Sequence, residues 1–277
     1  MDQSIGLHGM ERARAIESLC QFVAASVDAA QAGEAPFPHL VLRDVFPDDV
    51  YNAMMTAMPV ASDYRPMSGR AKDNDADDED HTRVKIDLFP EYIRHLPADK
   101  RELWDIVGRA LCSEPVKAAF VRRLAEPLKR RFGTGFTEVR LYPVPVLTRD
   151  IPGYRIYPHP DTHWKSITVQ LYLPRDDTTS HVGTIFHAPP DDSLPKHPRP
   201  KFLPKHTQMK FLPNSGYAFA VNENTWHSAD PVGPEVTTRD SILLTYFDDA
   251  GVLRFMRNRG KRVGNWLLNE LRSGLSH

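Results

Sequence analysis

Cysteine is scarce in this chain: two in 277 residues, Cys20 and Cys112, with no CxxC pair and no histidine neighbour for either. That gives no disulfide framework and no thiolate metal site, and both side chains read as buried thiols of a reducing compartment. An excess of charge is missing as well. Thirty-five Lys and Arg against 36 Asp and Glu leave a net charge of −1, so bulk electrostatics name no partner and give no nucleic-acid signal. Long apolar runs are absent. Nothing approaches the roughly 18 residues of a spanning helix, and the opening MDQSIGLHGMERARAIESLC lacks the continuous apolar stretch of a secretory signal. The expectation is a cytoplasmic chain with no membrane partner. Internal repeats are also lacking. What remains is 41% hydrophobic and 26% charged, an ordinary globular composition in a chain long enough to bury a core without covalent staples. One domain, residues 1–277, is expected.

Texture divides that domain. Over residues 10–31, Ile16, Leu19, Cys20, Val23 and Val27 fall at helical spacing. HLVLRDVF then reads as a strand, and Pro47 with Asp48 and Asp49 opens a short helix with carboxylates at its positive end. Residues 70–83 form an acidic tract. Asp73, Asp75 and Asp77 alternate as in a calcium loop, but Asp78 and Val84 stand where an EF-hand needs Gly and Glu, so a solvated loop is read there. Residues 100–132 read as two helices parted at Ser113-Glu114-Pro115, the second with a basic, solvated face. From 137 onward short apolar runs alternate with turns: EVRLYPVPVL, YRIYPH, SITVQLYL, GTIFHA, YAFAVN and SILLTYF. Their spacing is that of an all-β barrel or sandwich. The spacing predicts a mainly β, α+β architecture: a helical N-terminal layer over about 1–135, a β core over about 136–250, and a final helix over about 258–273.

The chemistry concentrates in YRIYPHPDTHWKSITVQLYLP. His159 and Asp161 are two apart, and on an extended chain such residues share a face. Two ligands hold a divalent metal weakly. His227, in NENTWHSADPV, lies where one β run ends and another begins and supplies a third. Two imidazoles and one carboxylate on one side of a metal leave the opposite side open, which suits Fe(II), dioxygen and a bidentate cosubstrate. Further on, TTRDSILLTYF starts a strand with Arg239, and Ser241 shares its face. A buried Arg needs an anionic partner, and its planar fork suits a carboxylate. Ser241 would add a contact.

His159-Pro160-Asp161, His227 and Arg239-Asp240-Ser241 resemble, in order and spacing, the HxD…H triad and RxS anchor of the 2-oxoglutarate/Fe(II)-dependent dioxygenase superfamily. GYAFAVNENTWHSADPV is similar to that family's strand-turn-His-strand unit, and PFPHLVLRDVFP to the entry segment of many bacterial members. The resemblance spans roughly residues 36–250 and is strongest over 140–247. It implies a double-stranded β-helix (jelly-roll, cupin-like), with HxD near the second strand, the distal His near the seventh and Arg239 starting the eighth. It implies Fe(II), 2-oxoglutarate and O2, and oxidation of a small molecule or biosynthetic intermediate with release of succinate and CO2. Asp161 favours hydroxylation, since halogenating members lack that carboxylate.

Other residues carry secondary expectations. Tyr157, two before His159, is a candidate to hydrogen-bond 2-oxoglutarate, with core packing as its alternative. His163 shares the ideal-strand face of His159, but Pro160 disrupts that regularity, so a place behind the ligands or at the surface is read. Trp164 and Lys165 read as a turn aromatic and a solvated cation, with substrate contact as their alternative, and Trp226 as packing. The loop 193–213 carries Lys196, Arg199, Lys201, Lys205 and Lys210. It reads as solvated, with recognition of an anionic substrate group as its functional alternative. Two other readings of the whole stay open: a cupin-like metal-dependent isomerase or hydrolase, which would not need Arg239 and Ser241, and a non-catalytic ligand-binding barrel, which would tolerate loss of Asp161. Oligomeric state does not follow from the sequence.

Overall fold

The structure, a computed structural model, describes residues 3–67, 82–190 and 201–274. Most of the acidic tract and the first part of the basic loop lie outside these residues.

The helical layer contains α1 (Gln3–Asp28), α2 (Asp48–Thr56), α3 (Ala98–Leu111), α4 (Glu114–Arg123) and α5 (Ala125–Phe132), with α1 packed on α3 and α4. The stretch expected to hold two helices holds three. Leu124 leaves helical geometry between α4 and α5, because Pro127 has no N–H to give the carbonyl of Arg123 and its ring crowds that carbonyl. The last helix, α6 (Val252–Gly274), begins earlier than expected, just after Gly251 at φ 84°. Arginines tie it down: Arg254 to Asp248, Arg259 to Asp249 and Arg262 to Glu91. Among the described residues no helix is long and apolar enough to cross a membrane.

Two antiparallel sheets make up the rest. The larger has β1 (Gln31–Gly33), β2 (His39–Arg43), β3 (Arg65–Pro66), β4 (Arg83–Asp87), β5 (Leu141–Asp150), β7 (Lys165–Tyr172), β10 (Ser215–Ala220) and β12 (Arg239–Asp248) in the order β1-β2-β10-β7-β12-β5-β4-β3. The smaller has β6 (Ile156–His159), β8 (Ile185–His187), β9 (Thr207–Gln208) and β11 (Trp226–Ala229) in the order β6-β11-β8-β9. From β5 onward the chain passes back and forth between the two sheets.

The two faces of the larger sheet differ in chemistry. On β7, Ile167, Val169 and Leu171 join Leu147, Ile242, Leu244 and Tyr246 in one apolar core with α1, α3 and α4. The alternate residues Thr168, Gln170 and Tyr172 turn toward the smaller sheet, as strand alternation requires. There an aromatic cluster of Phe37, Tyr172, Phe186, Phe211, Tyr217 and Phe219 fills one end of the space between the sheets. Polar side chains fill the other end.

Candidate metal centre

His159 ends β6 and His227 stands directly across from it on β11, so their rings lie 4.5 Å apart, centroid to centroid. Asp161 follows His159 past Pro160. One ligand atom from each of the three lies within 4.8 Å of the others, with His227 Nε2 4.0 Å from Asp161 Oδ2. Each imidazole is oriented by its own chain: Nδ1 meets the carbonyl two residues back, Tyr157 O at 2.8 Å for His159 and Thr225 O at 3.0 Å for His227. A carbonyl only accepts, so Nδ1 carries the proton and Nε2 keeps its lone pair for a metal. Thr168 Oγ1 donates to Asp161 Oδ2 at 2.6 Å and Lys165 Nζ donates to Oδ1. Burial by itself would raise the Asp161 carboxyl; the Lys165 ammonium, then His227 and His159, outweigh it and hold the group well below the usual carboxylate range. Two imidazoles and an ionised carboxylate converging on one point are a donor set suited to a divalent first-row metal with open positions.

The triad lines one side of a small cavity of about 40 Å³ between the sheets. Gln170, Thr184, Tyr154, Tyr217, Arg83 and Arg239 line the rest. Arg239 starts β12 and is 1% exposed; its Nη1 donates to Asp150 at 2.7 Å and its Nε to Val182 O at 2.7 Å. Ser241 stands behind the cavity wall. Its Oγ lies 2.9 Å from Thr148 Oγ1 and accepts from Gln170 Nε2 at 2.9 Å, while Gln170 Oε1 accepts from the Tyr217 hydroxyl at 2.7 Å. Ser241 thus reaches the cavity through Gln170.

Tyr157 sits elsewhere. Its ring lies against Arg155 and Lys201, with 4.9 and 5.6 Å from charge to centroid, and it does not line the cavity. The pairing of β6 with β11 explains this. His227 faces His159 and Ala229 faces Ile156, so β6 carries one residue more than its partner and the alternation slips by one. Ile156 and Tyr154 take the inward places. His163 is exposed and its ring lies tilted against that of Trp164, with centroids 3.8 Å apart, outside the triad. Lys165, read from sequence as solvated, instead meets Asp161, and Arg83 and Asp150 had no motif to announce them. Of the loop lysines described, Lys205 pairs with Asp230 and Lys201 lies over Tyr157; Lys196 and Arg199 lie outside the described residues.

A wider cleft of about 720 Å³ opens on the other side of Asp161, lined by Phe37 and several prolines together with polar residues that include Arg130, Arg131, Asn222 and Glu223.

No family model matches the chain, and no curated protein does. Among solved structures, the chain is similar to a Pseudomonas putida prolyl-4-hydroxylase at 14% identity and TM-score 0.45, over 82% of this chain and 99% of that one. A prolyl hydroxylase from Trichoplax adhaerens, in complex with a hypoxia inducible factor oxygen degradation domain peptide, aligns at 11% identity and TM-score 0.47 over 85% and 92%. A Burkholderia pseudomallei oxidoreductase of the 2OG-Fe(II) oxygenase family aligns at 14% and 0.44 over 85% and 93%. Likenesses this remote leave the chemistry to be argued from the residues themselves.

Proposed function

We propose that this chain is a 2-oxoglutarate-dependent, non-haem Fe(II) oxygenase that hydroxylates a small molecule. The observation that carries the reading is the convergence of His159, Asp161 and His227 at one wall of a cavity whose other wall holds the buried Arg239. The metal site accounts for the first group and a carboxylate-bearing cosubstrate for the second. The passage of the chain between two sheets from β5 to β12, with His159 on the second strand of that series, His227 on the seventh and Arg239 opening the eighth, supports a double-stranded β-helix core.

In this reading His159, Asp161 and His227 hold Fe(II). With 2-oxoglutarate and O2 the bound iron supplies oxidative decarboxylation, releasing succinate and CO2 while a substrate C–H bond is oxidised. The protein's part is positioning and exclusion of water. The Nδ1 contacts hold both rings with Nε2 toward the metal. Thr168 keeps one oxygen of Asp161 in place, and Lys165 balances the carboxylate charge. Arg239 takes the far carboxylate of 2-oxoglutarate, backed by Thr184 and the Gln170–Ser241 pair. The wide cleft outside Asp161 receives the substrate; its volume falls in the ordinary range for small-molecule sites.

Anaerobic titration with Fe(II) and 2-oxoglutarate tests this. A weak visible charge-transfer band is expected, absent in Asp161→Ala and His227→Ala. Arg239→Ala is expected to weaken 2-oxoglutarate binding about 10- to 100-fold while leaving metal affinity unchanged. Wild-type protein that gives no band and binds no 2-oxoglutarate would reject the reading.

A further inference from the structure

Arg83, Asp150 and Arg239 lie side by side across three neighbouring strands. The register pairs Asp150 at the end of β5 with Arg83 on β4 and with Arg239 on β12. Asp150 is fully buried, and the side chains of Arg83 and Arg239 are 11% and 1% exposed. Arg83 grips Asp150 through both Nε and Nη2, the latter 2.7 Å from Oδ2, while its guanidinium lies 4.1 Å over the Tyr154 ring. Arg239 shares the same Oδ2 at 2.7 Å. Both arginines line the cavity that holds the metal ligands.

Charge counting gives this cluster its meaning. Among the described residues, two guanidiniums over one carboxylate leave one unit of positive charge in a place almost closed to water. A surplus charge so buried is costly unless an anion shares it. Among the described residues one carboxylate lines the cavity, Asp161, and it is already taken by Lys165 and Thr168. One further carboxylate would balance this charge, and Asp150 sets the two arginines beside each other.

We propose that Arg83 and Arg239 together form a two-arginine carboxylate site, with Arg83 a second anchor for the distal carboxylate of the 2-oxo acid. This rests on the reading that a 2-oxo acid occupies the cavity with its oxo end toward the metal. A role confined to holding Asp150 would make Arg83 structural, and ligand chemistry separates the two.

The test titrates Fe(II)-loaded protein anaerobically with 2-oxoglutarate and with 2-oxovalerate, a 2-oxo acid of the same chain length lacking the distal carboxylate. The readout is the ratio of the two dissociation constants in wild type, Arg83→Gln and Arg83→Lys. Arg83→Gln is expected to weaken 2-oxoglutarate about 10- to 100-fold and 2-oxovalerate less than twofold. Arg83→Lys keeps the charge but not the fork, and a selective loss of at least about threefold is expected. A ratio within twofold of wild type, in whichever variant folds, overturns the inference, as does equal weakening of both ligands. Wild-type protein that binds neither ligand overturns the cosubstrate reading and the inference with it; wild-type binding with an unchanged ratio in the variants overturns the inference alone.

Discussion

At the scale of single residues, the site divides into groups that a motif announces and groups that only folding brings in. His159 and Asp161 are legible as a pair two residues apart, although Asp161 lies past the end of β6, and His227 and Arg239 through the motif they resemble. Thr168, Lys165, Asp150 and Arg83 are not. Their roles depend on which strand lies beside which, and Lys165 in sequence looks like any solvated lysine after a turn. Thr168 permits a sharp test. Its hydroxyl fixes Asp161 Oδ2 at 2.6 Å, and removing such support behind a ligand costs about 10- to 100-fold in metal affinity. Thr168→Val, nearly isosteric, is expected to show that loss by competitive metal titration with an unchanged circular dichroism spectrum. Asp161 also gives a pH prediction. Its carboxyl is depressed in the folded state, burial being outweighed by Lys165 and the two histidines. A depressed carboxyl contributes stability that is present above the unfolded value, near about 4, and is lost as acid protonates it. In metal-free protein, the stability gap between wild type and Asp161→Asn is expected to narrow as pH falls from 7 to 3, measured by urea unfolding. A constant gap would count against the ion pair.

At the scale of elements, strand and helix types were readable from periodicity, and the misreadings have local causes. Pro127 splits one expected helix into α4 and α5. The slip between β6 and β11 turns Tyr157 away from the cavity and brings Ile156 in; no residue of β6 advertises it, because a bulge is a property of a pair of strands. The short strands β1, β3 and β9, of two or three residues each, carry too little alternation to be seen in the sequence. One element contact matters for the site. Gly216 on β10 faces Leu171 on β7, and a Cβ there would lie 2.2 Å from the Gln170 carbonyl oxygen. A side chain at 216 would push the two strands apart at the residue whose amide joins Ser241 to Tyr217. Gly216→Ala is expected to cost about 1–3 kcal/mol, as overpacking does, and to weaken 2-oxoglutarate binding as well. Urea denaturation reads the first and anaerobic titration the second; unchanged values in both would show that the strands part without cost.

At the scale of the whole molecule, the larger sheet separates stability from chemistry by alternation. Its outward residues meet the helices in a hydrophobic core, and its inward polar residues face His159, Asp161, His227, Arg83 and Arg239. Because successive residues on β7 serve opposite faces, neighbours in sequence should have opposite mutational signatures. Leu171 is 1% exposed and belongs to the core shared with α1, α3 and α4. Leu171→Ala removes buried methyl groups and leaves a cavity, which costs about 2–5 kcal/mol. That loss would lower the denaturation midpoint while metal and 2-oxoglutarate affinities, measured well below the transition, stay within about twofold of wild type. Thr168→Val, three residues earlier and on the other face, is expected to do the reverse. If the helical layer and the β core are one cooperative unit, the Leu171→Ala protein will also unfold in one transition, with tryptophan fluorescence, which includes Trp104 in the layer and Trp226 on β11, and far-ultraviolet circular dichroism coincident. Two separated transitions would mean that the layer folds independently. A joint loss of stability and metal binding in Leu171→Ala would mean that the two faces of the sheet are mechanically coupled.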